Sequence, residues 1–198
     1  MKNEFNSPEY WDTVYKNERG SGKRRIDNER LQYVINTMKT YDDAHPHDKP
    51  HSFLDVGCGN GEMMRLVHAD LPDWRMYGVD ITRETIDWAM TVDLGFKYTL
   101  GTAYELNFGE IFDVVFCGET LEHLEDPTTA IYQMLKVIKP GGVLVCSVPN
   151  EGNNRSPEHI QEFTVFDALK MTTDGDMSKL VDVSVKCNGI STIWTTLK

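Results

Sequence analysis

A chain of 198 residues is long enough to bury one sizeable core. With 40% hydrophobic and 26% charged residues it has the composition of a folded domain, not of a disordered or fibrous chain. Its formal net charge of -11 argues against broad binding to nucleic acid or to an anionic membrane, both of which need basic surface.

No apolar run reaches eighteen residues, and "MKNEFNSPEYWD" lacks a signal-peptide core, so the expectation is a cytoplasmic protein with no membrane span. Cys58, Cys117, Cys146 and Cys187 are widely spaced and form no C-x-x-C pair. They read as buried, reduced thiols and not as a zinc ribbon or a redox motif.

Taken in chain order, the first notable stretch is "EYWDTVYKNERGSGKRR". It combines Tyr10, Trp11 and Tyr15 with Lys23, Arg24 and Arg25 around two glycines. Two readings stand: a lid whose aromatics exclude water while Arg25 meets an anionic group, or a packing helix followed by a solvated basic loop. Leu31, Val34, Ile35 and Met38 then recur at helical spacing and predict a helix over 28–38. "TYDDAHPHDKPH", which holds His45, His47 and His51, invites a metal reading through those histidines, but its prolines and polarity make it read as an exposed linker.

From residue 52 strands and helices alternate. "SFLDVG", "RMYGVD", "FKYTL", "FDVVFC" and "VLVCSV" read as strands. "EMMRLVHADL" reads as a helix stopped by Pro72, and a second helix runs from an N-cap at Thr82 to about Val92. Asp126-Pro127 opens a third, with Ala130, Ile131, Met134, Leu135 and Ile138 on its apolar face and "KPGG" as its stop. Two β-rich runs, "LVDVSVK" and "STIWTTL", flank "NG" and predict a terminal hairpin. The expected fold is α/β and Rossmann-like: a doubly wound, mostly parallel seven-stranded sheet with an antiparallel C-terminal hairpin. It is expected to be a single domain, with an N-terminal segment (1–50), a core (51–150) and a substrate-side loop, helix and hairpin (151–198).

In such sheets ligands bind beyond the carboxyl ends of the strands. "FLDVGCGNGE" places Gly57, Gly59 and Gly61 at the first of those ends. Dinucleotide loops read G-x-G-x-x-G and hold a pyrophosphate at the helix N-terminus. Here the spacing is G-x-G-x-G, and Glu62 sits where the helix begins, which would repel phosphate. Asp80, 25 residues beyond Asp55, closes the second strand and suits the two hydroxyls of a ribose. A nucleoside with a cationic, phosphate-free extension fits, and S-adenosylmethionine is one.

"LDVGCGNG", "YGVD", "GTAYEL", "FDVVFCGETLEHLEDP" and "KPGGVLVCSVPN" resemble, in that order, the motifs of class I S-adenosylmethionine-dependent methyltransferases. The resemblance implies cofactor contacts. Asp55 and Gly57 lie near the methionine part, with Gly59 and Gly61 in the loop beneath it. Asp80, with Ile81 beside it, holds the ribose. Ala103 and Tyr104 flank adenine, and Cys117 and Gly118 offer backbone near the amino group. Thr102 departs from the acid that relatives often carry for the adenine amine.

Methyl transfer from a sulfonium is an in-line displacement, so an alcohol acceptor needs a base or a metal. Glu119, Glu122 and His123 in "GETLEHLEDP" are spaced i, i+3, i+4, which on a helical turn places all three on one face. E-x-x-E-H with the later His159 is similar to two families, the ubiquinone-biosynthesis O-methyltransferases and the small-RNA 3′-end 2′-O-methyltransferases, and implies a divalent ion on Glu119, Glu122, His123 and His159. The other reading makes His123 the base, with Glu119 facing solvent or the sulfonium. Either way His123 and Glu119 are the candidate catalytic residues. The expected activity is O-methylation of a small acceptor such as a sugar, polyol or phenol, by a monomer or homodimer. The alternatives are metal-dependent methylation of RNA 3′ ends and a non-catalytic S-adenosylmethionine-binding module, with an NAD oxidoreductase more distant.

Overall fold

A computed structural model of the protein describes residues 6–18, 26, 28–109, 111–149, 156–163, 167, 170, 180–185 and 192–197. Arg25, Lys23, Arg24, Cys187 and the "NG" pair lie outside them. Residues 1–102 and 103–198 form two compact units.

The first unit holds α1 (Pro8–Glu18), α2 (Asn28–Ala44), β1 (Ser52–Val56), α3 (Glu62–Asp70), β2 (Arg75–Asp80), α4 (Arg83–Val92) and β3 (Lys97–Leu100). Its strands run parallel in the order β3-β2-β1. Every residue of β1 is buried, as expected of a parallel strand covered on both faces. That is why "SFLDV" reads as a continuous apolar run broken only by Ser52 and by Asp55 near its end.

The second unit holds β4 (Phe112–Gly118), α5 (Pro127–Lys136), β5 (Ile138–Val148), β6 (Leu180–Val185) and β7 (Thr192–Leu197). β4 and β5 pair in parallel. β7 pairs antiparallel with both β5 and β6. Asp126 caps α5 by accepting from the Thr129 amide at 3.0 Å, and Pro127 fills the first turn, where no N–H is needed.

Three expectations are corrected. The helix predicted over 28–38 continues to Ala44, because buried Tyr41 extends its apolar stripe. Ile138 is not on the α5 face: the helix ends at Lys136, and fully buried Ile138 opens β5. "KPGG" follows the end of the helix, as read, and lies in a bulge inside β5. Ile138 pairs with Phe112 and Val143 with Val114, so five residues of β5 are spent against two of β4. Lys139 reaches back from the bulge to both oxygens of buried Asp113, each at 2.8 Å. The linker reading also fails for His51, which is 1% exposed and packs edge-on against Tyr41 with centroids 5.3 Å apart.

Candidate functional site

In the first unit the glycine loop lies between β1 and α3. Gly57, Gly59 and Gly61 all have positive φ, at 77°, 51° and 78°. Side chains rarely adopt this backbone, which is why glycine recurs. Glycine is also needed for space. A Cβ on Gly59 would strike the Tyr15 hydroxyl, and one on Gly61 the Tyr98 hydroxyl.

Asp80 organises the loop. One of its oxygens accepts from the Gly59 amide at 2.8 Å. The other accepts from the Thr82 amide at 2.9 Å and from the Thr82 hydroxyl. Burial raises the Asp80 carboxyl, and those hydrogen bonds oppose the rise. Asp55, one strand away and 3% exposed, is pushed up to about 8, chiefly by burial and then by the nearby Asp80 charge. Two buried carboxyls at neighbouring strand tips suit a ligand that brings positive charge. Burial also drives the Cys58 thiol well above its usual range, so it is an inert structural group. Ile81 is half-buried directly after Asp80.

The loop is braced from below. Arg65 donates to the Asn60 carbonyl at 2.7 Å and pairs with Asp93 at 2.8 Å, and the Tyr98 hydroxyl donates to the same Asp93 oxygen at 2.6 Å. From α1, the Asp12 carboxylate accepts from the Glu84 amide at 3.0 Å and so caps α4. Thr82 occupies the N-cap position without a capping side chain, because its hydroxyl is committed to Asp80. Of the α1 aromatics singled out in the sequence, Tyr10 and Trp11 are half-buried against each other (centroids 5.2 Å), and Tyr15 is the one that covers Gly59.

In the second unit β4 ends at Cys117 and Gly118, which pair with Cys146 and Ser147 of β5. Ala103 is buried and Tyr104 half-buried, with the Tyr104 hydroxyl accepting from the Asp126 amide at 3.1 Å. Beyond Gly118 the chain does not form the α-helical turn that the i, i+3, i+4 spacing suggested. Glu119 has φ 52°, and a 3-10 turn follows over Leu121–His123. Positive φ at a non-glycine residue costs on the order of 1–3 kcal/mol. It turns Glu119 toward β5, where its amide donates to the Ser147 carbonyl at 2.9 Å and its carboxylate accepts from the Ser147 hydroxyl at 3.3 Å. The one-face reading of Glu119, Glu122 and His123 is thereby corrected.

Glu122, His123 and His159 do converge. One ligand atom from each lies within 4.8 Å of the other two, with Glu122 buried and both imidazoles half-buried. The segment carrying His159 is held by the Glu122 carbonyl, which accepts from the amides of Ile160 and Gln161 at 2.9 and 3.1 Å. His123 Nδ1 lies 3.1 Å from the Glu158 carbonyl, and the rings of His123 and His159 meet edge-on at 4.8 Å. Donation from Nδ1 to that carbonyl fixes the tautomer and leaves the Nε2 lone pair as base or ligand. A carboxylate and two imidazoles suit a borderline divalent ion such as zinc, manganese or iron. Glu119 is not among the three.

Sequence reasoning missed Asp12, Arg65, Asp93 and Tyr98. Only Tyr15 left a signal, as an aromatic of the N-terminal segment; Asp12 acts 72 residues away, which no local pattern shows.

A family model described as a methyltransferase domain matches residues 54–146. A ubiquinone biosynthesis O-methyltransferase of Rickettsia typhi is 32% identical over 133 residues, which are 64% of this chain and 51% of that protein. The chain spans about half the length of the curated relatives it matches first. Among solved structures, the plantazolicin methyltransferase BpumL, in complex with a triazolic desmethylPZN analog and SAH, superposes with a TM-score of 0.73 at 14% identity, covering 98% of this chain and 93% of that one. Magnesium protoporphyrin IX methyltransferase from Synechocystis PCC 6803 with bound SAH gives 0.68 at 15% identity, covering 96% and 97%. These likenesses show an α/β, Rossmann-like methyltransferase fold with a parallel sheet.

Proposed function

We propose that the chain is a class I S-adenosylmethionine-dependent methyltransferase, and that it transfers a methyl group from S-adenosylmethionine to an oxygen of a small acceptor such as a sugar, polyol or phenol; the methyltransferase-domain match over residues 54–146 and the likeness to a ubiquinone biosynthesis O-methyltransferase support this reading. On this reading the whole chain is one methyltransferase domain of the cytoplasm, whose strands complete the mostly parallel seven-stranded sheet with its antiparallel C-terminal hairpin. No described helix is long and apolar enough to cross a membrane.

The observation that carries the proposal is the pairing of three left-handed glycines with Asp80, whose carboxylate already fastens Gly59. We assign the ribose to Asp80 and Ile81, the methionine part to Asp55 and the Gly57–Gly61 loop, and the remaining contacts to Ala103, Tyr104, Cys117 and Gly118. Tyr10, Trp11 and Arg25 would act on the acceptor side. The buried acids favour a ligand bearing a sulfonium and an ammonium over one bearing phosphate, which speaks against NAD.

In the transfer the acceptor oxygen forms a bond to the methyl carbon. The C–S bond breaks with its electron pair left on sulfur, giving S-adenosylhomocysteine, and the acceptor proton passes to His123 Nε2. The Glu158 carbonyl orients that imidazole and stabilises the imidazolium. Holding the reactants in line does much of the work, since effective molarities for well-oriented reactants reach ~10⁵ M or more.

A second reading rests on the convergence of Glu122, His123 and His159. These three fit a divalent ion, which would supply Lewis acidity to lower the pKa of an acceptor hydroxyl. On that reading His123 is a ligand and not the base. Glu119, fastened to Ser147, would stay outside the set and hold the turn.

The test is calorimetry with S-adenosylhomocysteine on wild type and Asp80→Ala. Wild type is expected to bind, and the variant to bind at least ~100-fold more weakly, through loss of two charge-assisted hydrogen bonds. Equal affinity would refute the ribose assignment, and retention of NAD in place of S-adenosylhomocysteine would refute the function.

A further inference from the structure

We propose that Arg65 is a positioning residue for the cofactor: locked by Asp93, Tyr98 and Trp88, it holds the Asn60 peptide and thereby sets the backbone of the 57–61 loop before any ligand arrives. The inference rests on the reading that this loop binds S-adenosylmethionine, and it deepens that reading by assigning the loop's shape to groups that never touch the ligand.

A loop with three left-handed glycines has little intrinsic preference for one shape, because glycine visits many conformations at similar cost. Something outside it must select the binding conformation. The Val79 carbonyl and Asp80 hold Gly57, Cys58 and Gly59, and the Arg65 guanidinium completes the selection at Asn60 with a forked set of donors. Nη1 reaches the Asn60 carbonyl at 2.7 Å and Nη2 lies 3.4 Å from the Asn60 side-chain oxygen. That same side-chain oxygen accepts from the Glu62 amide at 3.1 Å and so starts α3. Both ends of Asn60 are thus held from one helical turn below.

The guanidinium is itself held by two groups, one of which is fixed in turn by Tyr98. Asp93, whose side chain is 7% exposed, pairs with Nη1 at 2.8 Å. The Trp88 ring lies under the guanidinium carbon at 5.3 Å, within range of a cation–π contact. The Tyr98 hydroxyl donates to the Asp93 oxygen that Arg65 uses, and its ring fills the space a Gly61 side chain would need. Asp93 also neutralises Arg65, so the brace adds no net positive charge beneath a loop that receives a cation. A lysine would carry the charge but present one compact ammonium, unable to span the Asn60 carbonyl, the Asn60 side chain and Asp93 together.

The experiment combines S-adenosylhomocysteine calorimetry with amide hydrogen exchange of the unliganded protein, on wild type, Arg65→Met, Arg65→Lys and Tyr98→Phe. Arg65→Met keeps the apolar stem. It is expected to weaken binding roughly tenfold, the size set by one lost charge-assisted bond, while the melting temperature moves by only a few degrees. Exchange at 57–61 is expected to quicken while that of β4 and β5 does not change. Arg65→Lys should fail to restore either readout, which a role limited to charge would not predict. Tyr98→Phe, the milder change, should shift both readouts in the same direction by a smaller factor. Unchanged exchange at 57–61 in the variants overturns the proposal, as does unchanged affinity beside quickened exchange. If wild type itself ignores S-adenosylhomocysteine, the cofactor reading fails, and the exchange arm still decides whether Arg65 shapes the loop.

Discussion

Replacing Asp55 by Asn isolates the electrostatic cost of the buried acid pair. In the folded protein the Asp55 carboxyl is pushed up to about 8, first by burial and then by Asp80, whereas in the unfolded chain it titrates near 3.9. Between those values the native state holds a proton that the unfolded state has lost. Unfolding free energy therefore falls as pH rises through this window, by about 1.4 kcal/mol per pH unit for one group. From pH 5 to pH 7 the loss is about 2.7 kcal/mol, and it saturates above about pH 8. The asparagine is neutral throughout, so the difference between variant and wild type cancels other titrations common to both. Urea denaturation at pH 5, 6, 7, 8 and 9 measures it. The variant should gain on wild type at each step up to about pH 8 and then level off. A difference that stays flat, or shrinks as pH rises, would refute the claim that Asp55 is buried and protonated in the unliganded protein. The same acid should release its proton when a cation binds beside it, so calorimetry at pH 7 in buffers of different ionisation enthalpy should show proton release with S-adenosylmethionine.

Three further changes test other parts of the molecule. Gly59→Ala demands φ 51° of a residue with a side chain and drives its methyl into Tyr15; we expect a loss of about 1–3 kcal/mol in stability by thermal melting and weaker S-adenosylhomocysteine binding, and unchanged values for both would contradict the loop geometry. His123→Ala should cut methyl transfer by ~10²–10⁴-fold with cofactor affinity preserved, and zinc titration of wild type, His123→Ala and His159→Ala separates the base from the ligand reading. Zinc affinity lost in both variants favours the ligand; absence of zinc binding in wild type leaves the base. Asp12→Ala removes a cap and should lower stability by about 1 kcal/mol, or roughly 2–4 °C in melting temperature. A stability equal to wild type would show that α4 starts without it.

The strands were legible because buried parallel strands are written as short apolar runs. "FDVVFC" shows this, with every residue from Phe112 to Cys117 buried. Asp126-Pro127 was legible because a cap is a local device. The loop's role was readable because left-handed turns and close approaches require glycine at fixed positions. The misreadings share one cause, tertiary override of a local pattern. Ile138 continues the α5 periodicity, but pairing with Phe112 takes it into β5. Glu119 has helical spacing to Glu122 and His123, but its amide is taken by Ser147. His51 stands in a polar stretch, yet Tyr41 and Trp74 enclose it. The convergence of Glu122, His123 and His159 was readable in residue type, while the exclusion of Glu119 depended on one backbone angle that no spacing encodes.

The reach of Asp12 to the Glu84 amide carries a consequence for how the molecule breathes. Without Asp12 the opening turn of α4 keeps its bond from the Ile86 amide to the Thr82 carbonyl, but the Glu84 amide is left to water. The docking of α1 therefore lends the start of α4 one hydrogen bond that is made and broken with it. An excursion that lifts α1 uncovers Gly59 and releases the Glu84 amide from Asp12 in the same event, so access to the glycine loop and the firmness of the first turn of α4 share one fluctuation.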